Sequence, residues 1–331
     1  MNLERFENVL RVQSETYNQW RMFAYIIRQL KEIGCVYYVK DGCIYVTKGT
    51  SKAYPCMVSH MDTVHNITSD LSIIKYGHKW TGFNTKTMTQ TGIGGDDKVG
   101  IFIALECLRE FDNIKAVFFR DEECGCDGSY NAHMPFFNDC AYVLQCDRRG
   151  YGDFVTNASG TQLSSKEFLW NLDWILKKWR YKPVNGMMTD VMALKECGLD
   201  ICAANISCGY YNPHMENEYV HTREVEACLD FVRDIIHNLG ETRFDHVYVK
   251  PKPVEIKGKK SKTSKDVLDK YFSRTFMNSF KPDPRYDDLK EYCECCGESV
   301  YKVEFVRDHQ IDMCDKCIQA YCPDYVADKY L

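Results

Sequence analysis

The segment IKAVFFRDEE, residues 114–123, joins an apolar run to a cluster of acidic residues. A short apolar run rich in β-branched and aromatic residues is typical of a strand buried on both faces of a sheet. Residues 99–111, which precede it, carry apolar side chains at the spacing of a helix that packs against such a sheet. The segment therefore predicts an α/β fold in which a buried strand delivers Glu122 and Glu123 to one edge.

Similar junctions between apolar runs and metal-ligating side chains recur along the chain. Each lies just after a strand-like run or at the start of a helix-like segment. In chain order the side chains are His60, Asp62, Asp96, Glu122, Glu123, Asp147 and His214. Ligands of α/β sheets bind beyond the carboxyl ends of the strands. We therefore expect these side chains to converge on one edge of the sheet.

The alternation of strand-like and helix-like segments gives the fold class. Helix-like segments at residues 166–180, 191–197 and 222–239 are separated from strand-like runs by short loops. This pattern predicts an α/β fold with a mixed, mostly parallel sheet and helices on both faces. Locally, the sequence predicts a helix over residues 14–30 and a β-hairpin that turns at Asp41 and Gly42.

The composition changes after about residue 248, which predicts three parts. Residues 1–248 are expected to form the α/β domain. Residues 249–288 are rich in lysine and poor in apolar residues, so they predict a basic linker with room for one short helix. Residues 289–331, where cysteines crowd, predict a second, small domain.

The charges of the chain are nearly balanced. The 42 Lys and Arg residues against 47 Asp and Glu residues give a formal net charge of -5, which indicates no polyanion partner for the chain as a whole. The first residues lack the apolar core of a signal peptide, and no apolar run is long enough to span a bilayer. The chain has 18 cysteines, several inside apolar runs, as in proteins that keep their thiols reduced. We expect a soluble, cytoplasmic protein with no membrane partner.

Imidazole and carboxylate side chains form the ligand set of a hydrolytic pair of zinc or other divalent ions. Asp96 can bridge two such ions, about 4 Å apart, with its two oxygens. His60 and Asp147 would complete one position. Glu123 and His214 would complete the other.

Two carboxylates remain beside this ligand set. Asp62 lies two residues after His60 on the same side of an extended segment, so it could hold the second ring nitrogen and fix the tautomer. Glu122 is free to take a proton from an attacking water and pass it to the leaving group. The sequence thus predicts a two-metal hydrolase with Glu122 and Asp62 in its catalytic machinery.

The order of these motifs resembles the peptidase T branch of the di-zinc aminoacylase/carboxypeptidase superfamily over about residues 3–240. The matching segments are SHMDT at 59–63, GDDKVG at 95–100, DEE at 121–123, Asp147, MTD at 188–190, GYYNPH at 209–214 and EYV at 218–220. The resemblance implies a zinc-exopeptidase fold. It implies two zinc ions on His60, Asp96, Glu123, Asp147 and His214, with Asp62 and Glu122 as catalytic residues. It also implies a cis peptide bond after Asp96.

The sequence departs from this family after Asp147. Family members carry an inserted lid domain there, which dimerises and supplies substrate contacts and a histidine that stabilises the oxyanion. Only residues 150–165 take that place in this chain, too few to form a lid. The substrate class and the oligomeric state of the family therefore do not transfer.

Two groups of residues admit both a structural and a functional interpretation. Arg148 and Arg149 are expected to be a solvated pair, with a grip on a substrate carboxylate as the alternative. Trp170, Trp174 and Trp179 recur at about helical spacing and are expected to form a packed face, with a dimer surface as the alternative.

Four cysteines near the end of the chain form two CxxC pairs. Cys293 pairs with Cys296 and Cys314 with Cys317, and 17 residues separate the pairs. This spacing is typical of one structural zinc ion in a zinc ribbon, which folds only with its metal. An exchange of Cys295 for Cys296 stays open.

The sequence therefore predicts a zinc-dependent metallopeptidase or amidohydrolase of exopeptidase type, acting on small peptides or acyl-amino acids. Its cofactors would be two catalytic divalent ions and one structural zinc ion. The alternative is a binding or adaptor protein that keeps the fold as a relic. Such a protein would act through the ribbon and the basic residues 257–265 on nucleic acid or on a protein partner.

Overall fold

The computed structural model describes residues 1–249 and the backbone of four short strands further along the chain. Those strands are Glu291–Tyr292, Ser299–Val300, Glu304–Val306 and Ile311–Met313. The first pairs antiparallel with the second, and the third with the fourth. The predicted zinc ligands of the ribbon lie outside the described residues, as does the predicted linker after Val249.

The elements of residues 1–249 alternate between helices and strands. The helices are α1 (Leu3–Arg11), α2 (Trp20–Ile33), α3 (Gly95–Glu110), α4 (Asp127–Tyr130), α5 (Lys166–Trp179), α6 (Asp190–Glu196) and α7 (Thr222–Leu239), with a 3-10 helix at Met134–Phe137. The first seven strands are β1 (Val36–Lys40), β2 (Cys43–Lys48), β3 (Tyr54–His60), β4 (Leu71–Tyr76), β5 (Lys79–Asn84), β6 (Thr89–Thr91) and β7 (Ile114–Phe119). The others are β8 (Cys140–Arg148), β9 (Asp153–Ala158), β10 (Thr161–Gln162), β11 (Lys182–Gly186), β12 (Ala203–Ser207), β13 (Tyr210–Tyr211) and β14 (Tyr219–His221).

The main sheet has nine strands in the order β1-β2-β7-β3-β8-β12-β9-β10, and β11 pairs with β9. The central strands β7, β3, β8 and β12 run parallel to one another. Antiparallel pairs flank this centre, β1 with β2 and β2 with β7 on one side and β12 with β9 on the other. The predicted mixed α/β class with a parallel core is therefore confirmed.

Alternation along the central strands divides the core between the two faces of the sheet. In β7, Ala116 and Phe118 pack in a cluster with residues of α1, α2, α3, α5 and α7. Val117 and Phe119 face the opposite side and pack in a second cluster with α6 and the 3-10 helix. Because successive side chains of a strand point to opposite faces, both faces need a helical cover.

A smaller, five-stranded sheet lies beside the main one in the order β13-β14-β5-β4, with β6 also paired to β5. Trp80 of β5 and Val220 of β14 are buried in the same core cluster as helices α1 and α3. The small sheet therefore packs against the helical layer, and the loop that joins β13 to β14 carries His214.

Two local predictions have different outcomes. The hairpin is confirmed, since β1 and β2 turn at Asp41 and Gly42, with φ of 51° and 73°. The helix predicted over residues 14–30 is wrong at its start, because α2 begins at Trp20. Ser14 and Thr16, before the helix, instead bond to the loop after β3: Thr63 donates to the carbonyl of Ser14 at 2.7 Å and accepts the N–H of Thr16 at 3.1 Å.

The predicted packed tryptophan face on α5 is also wrong. Trp170 is 82% exposed and Trp174 is 51% exposed. Trp179 donates its indole N–H to Asp234 at 2.6 Å. The helix buries Phe168, Leu172, Ile175 and Leu176 instead, and of the three tryptophans only Trp179 is half-buried against the core.

Within the described residues, no helix is both long enough and apolar enough to cross a membrane.

Tyr142 in β8 is fully buried, and its hydroxyl has no hydrogen-bond partner among the described residues. Because an unpaired buried hydroxyl costs about 1–3 kcal/mol, we expect Tyr142→Phe to keep the free energy of unfolding or raise it by about 1 kcal/mol. The matched change Tyr45→Phe removes a hydroxyl that accepts the His133 N–H at 2.8 Å, and should lower it by about 1 kcal/mol. Urea denaturation measures both, and equal losses would contradict the assignment.

Candidate metal centre

His60 is the last residue of β3, Asp62 follows two residues later, and both are fully buried. The Nδ1 atom of His60 lies 2.9 Å from the carbonyl oxygen of Asp62 and 3.5 Å from its carboxylate. A ring nitrogen that donates to this carbonyl leaves Nε2 free to act as a ligand. The carbonyl is thus the nearer partner of the ring, where the sequence predicted the carboxylate.

The Asp62 carboxylate instead holds the acidic loop after β7. One oxygen accepts the N–H of Glu122 at 3.0 Å, and the other accepts the N–H of Glu123 at 3.3 Å. The hydroxyl of Thr16 donates to the same carboxylate at 3.0 Å. Burial raises the cost of ionising Asp62, but its contacts with His60 and with these donors outweigh it and hold the pKa below its usual value. Asp62 therefore joins the loops that carry His60 and Glu122.

Asp96 and Asp97 begin α3 and are joined by a cis peptide bond, so that prediction is confirmed. The two side chains serve different purposes. Asp97 is fully buried and accepts the N–H of His60 at 3.3 Å and the N–H of Gly100 at 3.0 Å. Asp96 faces the imidazoles of His60 and His214.

The predicted ligands lie in two groups of three that share Asp96. In the first group, His60 Nε2 is 3.1 Å from one oxygen of Asp96 and 3.6 Å from Asp147. In the second, His214 Nε2 is 3.4 Å from the other oxygen of Asp96 and 3.0 Å from Glu123. Within each group the candidate ligand atoms all lie within 4.8 Å of one another. The folded chain thus brings together the five side chains that the sequence singled out.

Asp147, near the end of β8, is held by side chains of β8 itself and of the strands β12 and β13. Its carboxylate accepts hydrogen bonds from Gln145 at 3.1 Å and from the hydroxyl of Tyr210 at 3.2 Å. Its backbone N–H donates to the Asn205 side chain at 3.0 Å, and its carbonyl accepts from the same amide at 2.7 Å. The register between β12 and β8 shifts after Asn205, so this amide supplies pairing at the irregularity.

Glu122 belongs to neither group of three but lies beside the first. Its carboxylate is 3.9 Å from His60 Nε2, and it accepts the Cys126 thiol at 3.4 Å. The side chain is mostly buried, yet 13% of it remains exposed. A carboxylate near both donor groups and in contact with solvent is suited to proton transfer.

The centre concentrates negative charge where little solvent can screen it. Burial raises the pKa of Glu122, Glu123 and Asp147, and the neighbouring Asp96 carboxylate adds to the effect. Burial alone would lower the pKa of His60, but its carboxylate neighbours raise it well above the usual value. Positive charge is therefore strongly favoured here.

Divalent cations fit this centre. Among the described residues, the ion pairs of these carboxylates involve only histidine, with no Lys or Arg side chain in contact. The Oε1 atom of Glu123 is buried and has no hydrogen-bond partner there. Oxygen and imidazole donors at these separations match the ligand preferences of zinc and similar ions.

The two arginines after Asp147 have separate surroundings. Arg148 donates to Asp153 at 2.9 Å and is half-buried. Arg149 is exposed. Arg148 therefore braces β9 rather than standing free in solvent, while Arg149 carries no assigned contact among the described residues.

Several supporting residues escaped the sequence analysis. Gln145 and Asn205 are polar side chains inside otherwise apolar, buried strands, and that mismatch was the available signal. Glu218 stands in the matching segment EYV at 218–220, and the resemblance implies no role for it. Tyr210 had no signal, since a tyrosine in a strand is usually a packing residue.

Asn205→Ala should leave the backbone N–H and C=O of Asp147 without partners. We expect the free energy of unfolding to fall by about 1–3 kcal/mol, measured by urea denaturation. The control Asn171→Ala changes an exposed residue of α5 and should shift it by no more than about 0.5 kcal/mol. A variant at 205 as stable as the control would show that the amide does not support Asp147.

Comparison with known proteins gives structural matches only. No protein-family model and no curated protein matches this chain. Aminopeptidase PepT from Bacillus cereus superposes with a TM-score of 0.60 at 14% identity, covering 72% of this chain and 97% of that one. A tripeptidase from Staphylococcus aureus gives 0.58 at 13% identity, with 71% and 96% covered. An aminopeptidase from Desulfurococcus kamchatkensis gives 0.57 at 12% identity, with 73% and 95% covered. This chain therefore has the fold of these peptidases.

Proposed function

We propose that this protein is a metal-dependent hydrolase of amide bonds, of exopeptidase or aminopeptidase type, acting on small peptides or acyl-amino acids. One divalent ion would be held by His60, Asp96 and Asp147. The other would be held by Asp96, Glu123 and His214. The preferred ion is zinc, which suits imidazole and carboxylate ligands in hydrolytic sites.

The observation that supports this proposal most is the sharing of Asp96 between two groups of ligand atoms. A carboxylate between two imidazoles, with one further acid beside each, is the arrangement a two-metal site requires. The fold shared with aminopeptidases and a tripeptidase is consistent with it. The shared fold assigns no roles to individual residues, because the sequence identities are 12–14%.

When bound, two such cations act as Lewis acids on a carbonyl oxygen and lower the pKa of water. Glu122 then takes a proton from the attacking water and gives it to the departing amine, since it is the acid that neither group of ligands uses. Asp62 acts as a positioning residue, because its carbonyl faces the His60 ring and its carboxylate holds the N–H of Glu122.

The substrate would reach this centre without an inserted lid. Between Asp147 and α5, the chain forms β9 and β10, both part of the main sheet. His214 is 53% exposed, so the second group of ligands opens to solvent. We propose that loops of the main domain alone hold the substrate, which favours short peptides and small acyl compounds.

We propose that the protein works in the cytoplasm, a compartment that keeps thiols reduced. The twelve cysteines of the described residues are all unpaired, and most of them are buried. A chain that keeps so many thiols free is typical of cytosolic proteins.

Glu122→Gln should lower kcat for dipeptide, tripeptide or acyl-amino-acid hydrolysis by roughly a hundred- to ten-thousand-fold, because glutamine cannot take a proton. Metal content should stay at the wild-type level, since Glu122 is not among the ligands. The control Glu4→Gln changes an exposed carboxylate on α1 and should keep both properties. Hydrolysis retained in Glu122→Gln would refute the role of this residue.

We also propose a structural zinc ion on Cys293, Cys296, Cys314 and Cys317, from the spacing of the two pairs. Elemental analysis of the wild type should give about three metal ions per chain. The double variant Cys314→Ser with Cys317→Ser should lose one ion and keep hydrolysis.

The control for this count is Cys197→Ser, an exposed cysteine of the main domain that should keep all three ions. A double variant with unchanged metal content would remove the ribbon site. Three ions without hydrolysis of any tested amide would instead favour the adaptor alternative, in which the ribbon binds a partner.

A further inference from the structure

Glu218 is a buried carboxylate outside the two ligand groups, and its own side chain is fully buried. It lies just before β14. One carboxylate oxygen accepts the N–H of Asp96 at 3.1 Å. The other accepts the N–H of Gly94 at 2.6 Å and meets His65 Nε2 at 2.9 Å. An ionised carboxylate can only accept hydrogen bonds, so Glu218 is the acceptor in all three contacts.

The glycine-rich loop before Asp96 is shaped around this carboxylate. A Cβ on Gly95 would lie 2.7 Å from Tyr210 Cβ and 3.3 Å from Glu218 Oε1. A Cβ on Gly92 would lie within the His65 ring, 1.9 Å from its Cε1 atom. Gly94 adopts φ of +68°. The loop therefore fits closely between Glu218, His65 and β13, with little freedom to move alone.

Glu218 is also joined to the loop that carries His214. Its backbone N–H donates to the carbonyl of Met215 at 3.0 Å, and Met215 donates to Asn212 at 3.3 Å. These bonds close a short turn around His214. The side chain of Glu218 thus holds Asp96 by its backbone, while its main chain holds the His214 turn.

We infer that Glu218 is a positioning residue that sets Asp96 against His214 and so builds the metal position of Asp96, Glu123 and His214. The inference rests on the proposed function, because it concerns one of the two proposed metal positions. The other position depends less on this contact. His60 and Asp147 come from adjacent strands, β3 and β8, of the main sheet.

Glutamine cannot replace this carboxylate without loss. One end of its side chain would still accept an N–H, but the other would present an amide donor to a second N–H or to His65. One of the three hydrogen bonds would be lost, because two donors would then face each other. The Asp96 loop would shift relative to His214. Supporting contacts of this kind typically contribute ten- to a hundredfold to metal affinity.

The test is a titration of metal-depleted full-length protein with Mn²⁺, followed by calorimetry and by electron paramagnetic resonance. Manganese suits carboxylate-rich sites, whereas thiolate sites prefer softer ions. The wild type should bind two ions and develop the spectrum of a coupled pair. Glu218→Gln should bind the first ion normally and the second about ten- to a hundredfold more weakly, without the coupled spectrum at equal dose.

The matched control is Glu216→Gln, an exposed carboxylate two residues away, which should titrate as the wild type does. His65→Phe keeps a ring over Gly92 but removes one donor to Glu218. This variant should bind the second ion more weakly than the wild type does but more tightly than Glu218→Gln does. It also decides the matter if Glu218→Gln does not fold.

Three outcomes separate the possibilities. A wild type that binds no pair of ions would overturn the proposed function itself. A wild type that binds a pair, with Glu218→Gln and His65→Phe binding both ions equally well, would overturn only the role of Glu218. An equal loss of affinity for both ions would also overturn the role of Glu218, because its contact with Asp96 would then support the whole centre and not one metal position.

Discussion

The carboxylate of Asp96 lies between two imidazoles, and the rest of the centre is arranged around that contact. His60 meets one of its oxygens and His214 the other, while Asp147 and Glu123 stand beyond them. Acids this close and this buried repel one another strongly in a medium of low dielectric constant. Positive charge would relieve that repulsion, and the two proposed divalent ions would supply it. The loops that carry Asp96, Glu122 and Glu123 are held by their backbone N–H groups, which donate to the buried carboxylates of Glu218 and Asp62.

The sheet solves the problem of bringing these acids together. Parallel strands end at one edge of the sheet. His60 at the end of β3, Glu122 and Glu123 after β7, and Asp147 near the end of β8 therefore lie beside one another. The small sheet then supplies His214 from the other side. Buried polar side chains hold the loops in place: Asp62 binds the acidic loop, Asn205 binds Asp147, and Glu218 binds the loop of Asp96. Each of these replaces a contact that regular secondary structure cannot make at a strand end.

Much of the fold could be predicted because its signals are local. The apolar run of Ile114–Phe119 and the turn at Asp41 and Gly42 depend on neighbouring residues, and both were predicted. The start of α2 was not, because Ser14 and Thr16, which precede it, bond to Thr63, far along the chain. The exposure of Trp170 and Trp174 on α5 was not predicted either, since helical spacing defines a face without saying whether that face is buried. Their exposure depends on what the rest of the chain places beside the helix.

The sequence by itself determined the α/β class and the chain order of the acids and imidazoles that gather at one edge, because both follow from periodicity and from where strands end. The sequence also predicted the two groups of side chains that share Asp96, with Glu122 outside them. Only the tertiary structure decided that the carbonyl of Asp62 is the nearer partner of the His60 ring, and that the Glu218 carboxylate accepts the N–H of Asp96. Such choices depend on distances of a few ångströms between segments far apart in the chain, and spacing along a sequence does not carry that information.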